Sequence, residues 1–151
     1  MIRVQQEDFD IGAEIAALKA GRSDIGAIVT FIGTVRDHHG AVAEMTLEHY
    51  PGMTESELTR IEAEAHARWP LQASLIVHRT GTLKAGDNIV LVVTASEHRD
   101  AAFDAAKFLM DYLKTGAPFW KRESGASGTR WVEASSGDTD AASRWTKRAA
   151  E

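Results

Sequence analysis

The chain has 151 residues, enough for one domain with a proper core, and its 44% hydrophobic and 26% charged residues exclude a disordered chain or a fibre. A net charge of −5 excludes a protein that coats nucleic acid, because phosphate neutralisation needs a basic face. There is no cysteine, which excludes disulfides, zinc–thiolate sites and thiol nucleophiles.

The opening MIRVQQEDFDIG lacks the apolar stretch of a signal peptide, and no apolar run reaches membrane-spanning length. A cytoplasmic protein without membrane or nucleic-acid partners is the expectation. After a short first strand, IGAEIAALKAG carries Ile11, Ile15 and Leu18 at helical spacing and stops at Gly21. IGAIVTFIGTVR, Ile25 to Arg36, is β-branched and almost continuously apolar, which predicts a buried strand. RDHHG then reads as a turn and VAEMTLEHY as the returning strand.

In PGMTESELTRIEAEAHARWP, Thr54 stands three residues before Glu57, the spacing of a capping box. The helix it opens ends at Pro70, with Ile61, Ala65 and Trp69 along one face. ASLIVHRTG and NIVLVVTAS are two further apolar strands, joined through TLKAGD. RDAAFDAAKFLMDYLKTG is the clearest helix, with Phe103, Ala106, Leu109, Met110 and Leu113 on one stripe and Gly116 as its stop. FWKRES and TRWVEA read as a hairpin across GASG. The pattern predicts one domain over 1–134 and a loosely ordered tail over 135–151, with a short helix near Trp145. The fold class is α+β: a mostly antiparallel sheet, interleaved helices and a C-terminal hairpin. No glycine-rich phosphate loop is present, which argues against a dinucleotide fold.

Three constellations could carry chemistry. SEHRD, Ser96 to Asp100, lies where a strand ends and the strongest helix begins. Helix N-terminal N–H groups attract anions, and His98 and Arg99 would add donors there. A Ser96 or Asp100 cap with His98 and Arg99 in solvent accounts for the same residues. Arg36 ends an apolar strand and offers a planar fork to phosphate or carboxylate, or simply marks the surface. YLKTGAPFWKRE sets Lys114 and Lys121 on either side of a helix-breaking Gly116-Ala117-Pro118. A cation in the last helical turn is favoured by roughly 0.3–1 kcal/mol, reason enough for Lys114 alone. Strand alternation puts Phe119, Lys121 and Glu123 on one face and Trp120 and Arg122 on the other. If the chain folds back and sets the two ammonium groups about 5 Å apart, they repel by roughly 3 kcal/mol, about two pKa units.

His38 and His39 are adjacent, but His49, His66 and His78 are scattered without metal-ligand spacing, so no metal site is expected. No nucleophile-elbow motif supports Ser-His-Asp chemistry.

TFIGTVRDHH, LEHYPGMTESEL, VHRTGTLKAGD, SEHRDAAFDAAKFLMDYLKTGAPFWKRE and RWVEA, in this order, resemble the large, catalytic subunit of molybdopterin synthase. The resemblance runs from about Ile2 to Ala134 and implies an α/β hammerhead-type fold. It also implies a homodimer with a small ubiquitin-like sulfur carrier at each end, a heterotetramer in all. The carrier would end in a Gly-Gly thiocarboxylate. The implied reaction puts two sulfurs into cyclic pyranopterin monophosphate, giving the dithiolene of molybdopterin, with no resident cofactor. Lys114 and Lys121 match the catalytic lysines. Thr34, Val35, Arg36, His98, Arg99, Arg122 and Glu123, with the same lysines, match the substrate pocket. Thr34 and Gly116 depart from more basic residues found in some members. A cysteine-free sulfur-transfer protein needs a separate sulfur donor, and a phosphorylated substrate needs a local cationic pocket. The residues alone also allow a non-enzymatic module that binds a small phosphorylated ligand or a partner's C-terminal carboxylate, or a structural dimer with solvated lysines.

Overall fold

The computed structural model describes residues 1–37, 40, 44–125, 128–132 and 142–146. His38, His39, the centre of the GASG loop, the boundary after Ala134 and most of the tail lie outside the described residues. In chain order the elements are β1 (Ile2–Gln5), α1 (Ile11–Lys19), β2 (Ala27–Thr34), β3 (Glu44–His49), α2 (Met53–Arg68), β4 (Leu71–Arg79), β5 (Gly81–Lys84), β6 (Asn88–Ser96), α3 (Arg99–Thr115), β7 (Phe119–Gly125) and β8 (Gly128–Val132). A short helical turn covers 142–146. Among the described residues no helix is long and apolar enough to cross a membrane.

The strands form two four-stranded sheets, ordered β1-β4-β6-β2 and β5-β3-β7-β8. Every pairing is antiparallel except that of β1 with β4. This is the expected α+β class, and β7–β8 is the expected hairpin.

Period-two alternation divides the core of the first sheet between its faces. Ile76, Val90 and Val92 point toward α2 and α3, where they meet Leu58, Ile61, Phe108 and Leu109. Leu75, Val77, Leu91 and Val93 point the other way, toward Phe9, Ile15 and Leu18 of the α1 side. β4 and β6 are buried on both faces, which is why they read as unbroken apolar runs. A smaller cluster, Val35, Met45, Leu47 and Leu83, joins the end of β2 to the second sheet.

The structure corrects several expectations. β2 is an edge strand that leaves Phe31 and Ile32 more than a third exposed, because it pairs with β6 alone among the described strands. β3 does not return beside β2. Its inward residues Met45 and Leu47 pack with Val35 and Leu83, so it joins the second sheet instead. TLKAGD contains part of an extra strand, β5, too short to show periodicity. The capping interaction of α2 sits two residues earlier than predicted: Gly52 N–H donates to the Glu55 carboxylate at 2.7 Å, and Glu57 pairs with Arg60. Thr54 lies inside the helix, fully buried. On α3 the buried residues are Ala102, Ala105, Ala106, Phe108, Leu109, Asp111 and Leu113, and Phe103 is 60% exposed. The small residues bring the helix close to β6, where Thr94 Oγ1 donates to the Ala102 carbonyl at 2.7 Å.

Trp145 is buried against Trp69 and Phe108, and its Nε1 donates to Asp111 Oδ2 at 2.7 Å. Arg68 Nη1 donates to its carbonyl at 3.2 Å. This packing ties 142–146 to both α2 and α3. Trp145→Ala should therefore cost about 3–5 kcal/mol in urea unfolding of the full chain, the range for deleting a buried aromatic. An unchanged unfolding midpoint would show that the segment adds nothing to the fold.

Candidate active site

The helix-breaking turn between Lys114 and Lys121 is held at several points. Gly116 N–H donates to the Tyr112 carbonyl at 2.7 Å and closes α3. Phe119 N–H donates to the Ala117 carbonyl at 2.8 Å and starts β7. Buried Thr54 fixes the middle: its Oγ1 donates to the Pro118 carbonyl at 2.9 Å and accepts from Tyr50 N–H at 2.9 Å. The α2 N-terminus thus anchors the turn, and β7 enters the second sheet with Phe119 opposite His49 and Lys121 opposite Leu47.

His78 lies at the centre of this region. It sits near the end of β4, opposite Val90, 7% exposed. Its ring stacks on Phe119 with centroids 3.8 Å apart and planes at 17°. Nδ1 lies 2.8 Å from the Arg79 carbonyl, which can only accept, so Nδ1 carries the ring proton. Burial pushes the imidazole down from its usual 6.5 to about 4, although the Arg79 carbonyl favours the protonated ring. The charges of Lys121, Lys114 and His49 push it further down. Lys121 lies two residues beyond the stacked Phe119, and Lys114 lies in the last helical turn before the Gly116-Ala117-Pro118 break. His49 Nε2 in turn lies 3.4 Å from Glu55 Oε1. The Glu55 carboxyl is held below its ordinary range first by its own backbone N–H, then by those of Gly52 and by His49.

The other predicted residues fall into three groups. Val35 is buried against Leu47, the residue opposite Lys121, and is held by Val35 N–H to the Asp87 carbonyl at 2.9 Å and Gly86 N–H to its own carbonyl at 2.8 Å. This brings exposed Arg36, the next residue, to the rim of the second sheet. Glu123 is buried on the same face of β7 as Lys121, two residues on. Arg122 and Trp120 take the opposite face, Trp120 against Tyr50 at 5.8 Å. Thr34 is exposed at the bulge where β2 shifts register opposite Asn88.

His98 and Arg99 are not part of this cluster within one chain. They begin α3, and Lys114 ends it, a separation of roughly 22 Å along a helix rising 1.5 Å per residue. His98 is the N-cap without a side-chain hydrogen bond, and both residues are exposed. Neither alternative cap was correct: buried Ser96 donates to the Pro70 carbonyl at 2.9 Å, and Asp100 lies in the first turn.

Sequence reasoning passed over His78 and His49 as scattered histidines. For His78 the only local signal was a polar residue near the end of a largely apolar strand; His49 closes the alternating strand β3 and carried none. The distance between His78 and Lys121 in sequence hid their proximity.

Fold and side-chain placement define the class: an α+β protein whose acidic body sets Lys114 and Lys121 on either side of a turn that packs on a buried imidazole. The model of the family described as MoaE protein matches residues 4–116. A molybdopterin synthase catalytic subunit of Mesorhizobium japonicum is 58% identical over 146 residues, 95% of this chain and 92% of that protein. One from Pseudomonas aeruginosa is 57% identical across 95% of this chain and 97% of its own. Among solved structures, a molybdopterin biosynthesis MoaE protein from Burkholderia ambifaria superposes with a TM-score of 0.84 at 54% identity, covering 97% of both chains. Molybdopterin synthase from Staphylococcus aureus gives a TM-score of 0.79 at 30% identity over 86% of this chain and 95% of that one. The chain belongs to the MoaE family of molybdopterin synthase catalytic subunits.

The buried imidazole has a consequence for stability. Between about pH 6.5 and 4 the unfolded chain holds a proton on His78 that the folded chain does not, so stability falls as pH falls through this window, by roughly 3 kcal/mol in all. His78→Phe keeps a ring on Phe119 and removes the titration. Urea midpoints measured from pH 7 to 4.5 should decline more steeply for the wild type than for this variant. Equal slopes would refute the buried neutral histidine.

Proposed function

We propose that this chain is the sulfur-inserting subunit of molybdopterin synthase, with the cleft around Lys114, Lys121 and His78 as its active site. One arrangement carries the reading: Lys114 and Lys121 flank a turn pinned by Thr54, next to Phe119 stacked on the buried His78 ring, in a member of a family of synthase catalytic subunits. Being one subunit implies another, and a chain without cysteine cannot carry the transferred sulfur. The donor is a small carrier protein ending in a Gly-Gly thiocarboxylate, and the acceptor is cyclic pyranopterin monophosphate.

The carrier tail enters beside Lys114 and brings its terminal sulfur to the pterin. Lys121 and Arg36 hold the phosphate and stabilise negative charge as sulfur attacks, a task suited to preorganised cations in a cleft that sheds water. One of the two lysines moves a proton or engages the carrier's terminal carbonyl. In each round sulfur bonds to a pterin carbon and displaces an oxygen from it, then water cleaves the acyl–sulfur bond and releases the carrier as a carboxylate; two rounds complete the dithiolene.

His98 and Arg99 are too far along α3 to serve the same cleft within one chain. In a homodimer the start of α3 from one copy completes the cleft of the other, adding two donors for phosphate.

Lys114→Ala and Lys121→Ala should each reduce pterin conversion by about a hundredfold or more while the carrier still binds, measured with purified thiocarboxylated carrier. Full conversion by both variants would sink the catalytic assignment, and carrier binding without conversion by the wild type would leave only a binding module. Arg99→Ala mixed with Lys114→Ala tests the shared cleft. Re-equilibrated dimers should regain about a quarter of wild-type activity, because half are mixed and each mixed dimer holds one intact cleft. No recovery on subunit exchange would confine the site to one chain.

A further inference from the structure

Antiparallel pairing of β3 with β7 runs as far as His49 opposite Phe119. The next pair in that register is Tyr50 with Pro118. Pro118 has no N–H, so these two residues cannot exchange the two backbone bonds that would close a rung. Thr54 fills the gap. Its backbone N–H donates to the Tyr50 carbonyl at 2.9 Å, so the acceptor that lacks a proline donor is satisfied from α2. Its Oγ1 accepts from Tyr50 N–H at 2.9 Å and donates to the Pro118 carbonyl at 2.9 Å. One hydroxyl thereby relays a strand-to-strand bond, using its capacity to accept and donate at once. The side chain is fully buried, which shields both bonds from competing water.

The placement of Lys121 depends on where this rung sits. Phe119 N–H donates to the Ala117 carbonyl at 2.8 Å, a three-residue turn centred on Pro118, whose fixed φ suits it. Before the turn, Gly116 N–H closes α3 onto the Tyr112 carbonyl at 2.7 Å. Lys114 is therefore held by the helix and Lys121 by the strand. The Pro118 carbonyl ties the turn between them to a third element, α2.

We infer that Thr54 is a positioning residue: its hydroxyl supplies the rung that Pro118 cannot, and so sets the line on which β7 carries Lys121 relative to Lys114. The inference rests on the proposed function, in which these two lysines serve the sulfur transfer. Thr54 itself is buried beneath the turn and acts through Pro118 and the first residues of β7.

The test compares Thr54→Val, which keeps the shape and removes the relay, with Thr54→Ser, which keeps the hydroxyl. Each full chain is assayed with thiocarboxylated carrier and cyclic pyranopterin monophosphate, at a temperature where near-ultraviolet circular dichroism shows it folded. Thr54→Val should lose about tenfold in kcat, with KM for the pterin and carrier affinity nearly unchanged, as expected for misaimed groups. Thr54→Ser should regain most of that loss. Ile61→Val, a core change in the same helix, should destabilise the chain yet keep wild-type kcat, because it leaves the relay alone. Wild-type kcat in Thr54→Val overturns the inference. So does an equal loss in Thr54→Ser, or in Ile61→Val, which would make the stability of α2 the cause. If Thr54→Val does not fold, Thr54→Cys takes its place, since a thiol is near serine in size but a weak donor. Its kcat should fall about tenfold below that of Thr54→Ser, and equal values overturn the inference. Failure of the wild type to convert pterin would strike the proposed function instead, with Thr54 unchanged.

Discussion

The ring of His78 lies flat on that of Phe119, and the two belong to different sheets. β4 contributes the histidine from the middle of the first sheet, and β7 contributes the phenylalanine as its first residue in the second. A few residues away, Thr54 of α2 holds the Pro118 carbonyl, so a helix, a turn and two strands are locked within one small volume. Stacked rings have little freedom to slide once both sides are packed. The lysines inherit that rigidity: Lys114 lies in the last turn of the helix before the break, and Lys121 lies two residues beyond the stacked ring. Moving Phe119 would move both lysines relative to each other.

The same joint explains how an acidic protein keeps a cationic cleft. Three positive side chains around one point would repel strongly where dielectric screening is weak. Burial keeps His78 uncharged at neutral pH, so it adds a dipole where a third full charge would have raised the cost of holding the lysines. The cluster is accordingly local. Glu55 draws His49 away on the α2 side, and Glu123 is buried on the face of β7 that carries Lys121. Net charge describes the surface as a whole and says nothing against such a pocket.

Much of this was legible in the sequence. The amphipathic helices, the doubly buried β4 and β6 and the terminal hairpin follow from periodicity, since burial on one or both faces writes itself into the spacing of apolar residues. The Gly-Ala-Pro break marked the turn, and the lysines flanking it stood out by composition. Strand pairing was less legible. β2 and β3 looked like neighbours because they are adjacent in sequence, yet the residues that decided otherwise, Met45, Leu47 and Leu83, lie far apart along the chain. Phe103 looked like core because i, i+3 spacing tolerates it, while the true stripe centres on three alanines that carry little hydrophobic signal. His78 was invisible as a site residue for the same physical reason. Its partners are Phe119, Lys114 and Lys121, and only the closed fold brings them to it.

α3 carries both groups of proposed site residues and keeps them apart within one chain. It has 17 residues, starts at Arg99 after the His98 cap and carries Lys114 in its last turn, so both ends carry cations while its buried stripe lies between them on β6 and β2. A straight helix cannot bring its own ends together. A chain that uses both ends on one substrate must do so through a second copy, and a two-fold arrangement supplies each cleft with one end from each chain at no cost in new sequence. The missing cysteine fits the same division of labour. In the proposed reaction sulfur arrives on another protein's C-terminus, and this chain contributes charge, shape and a buried imidazole fixed in place by a stacked ring.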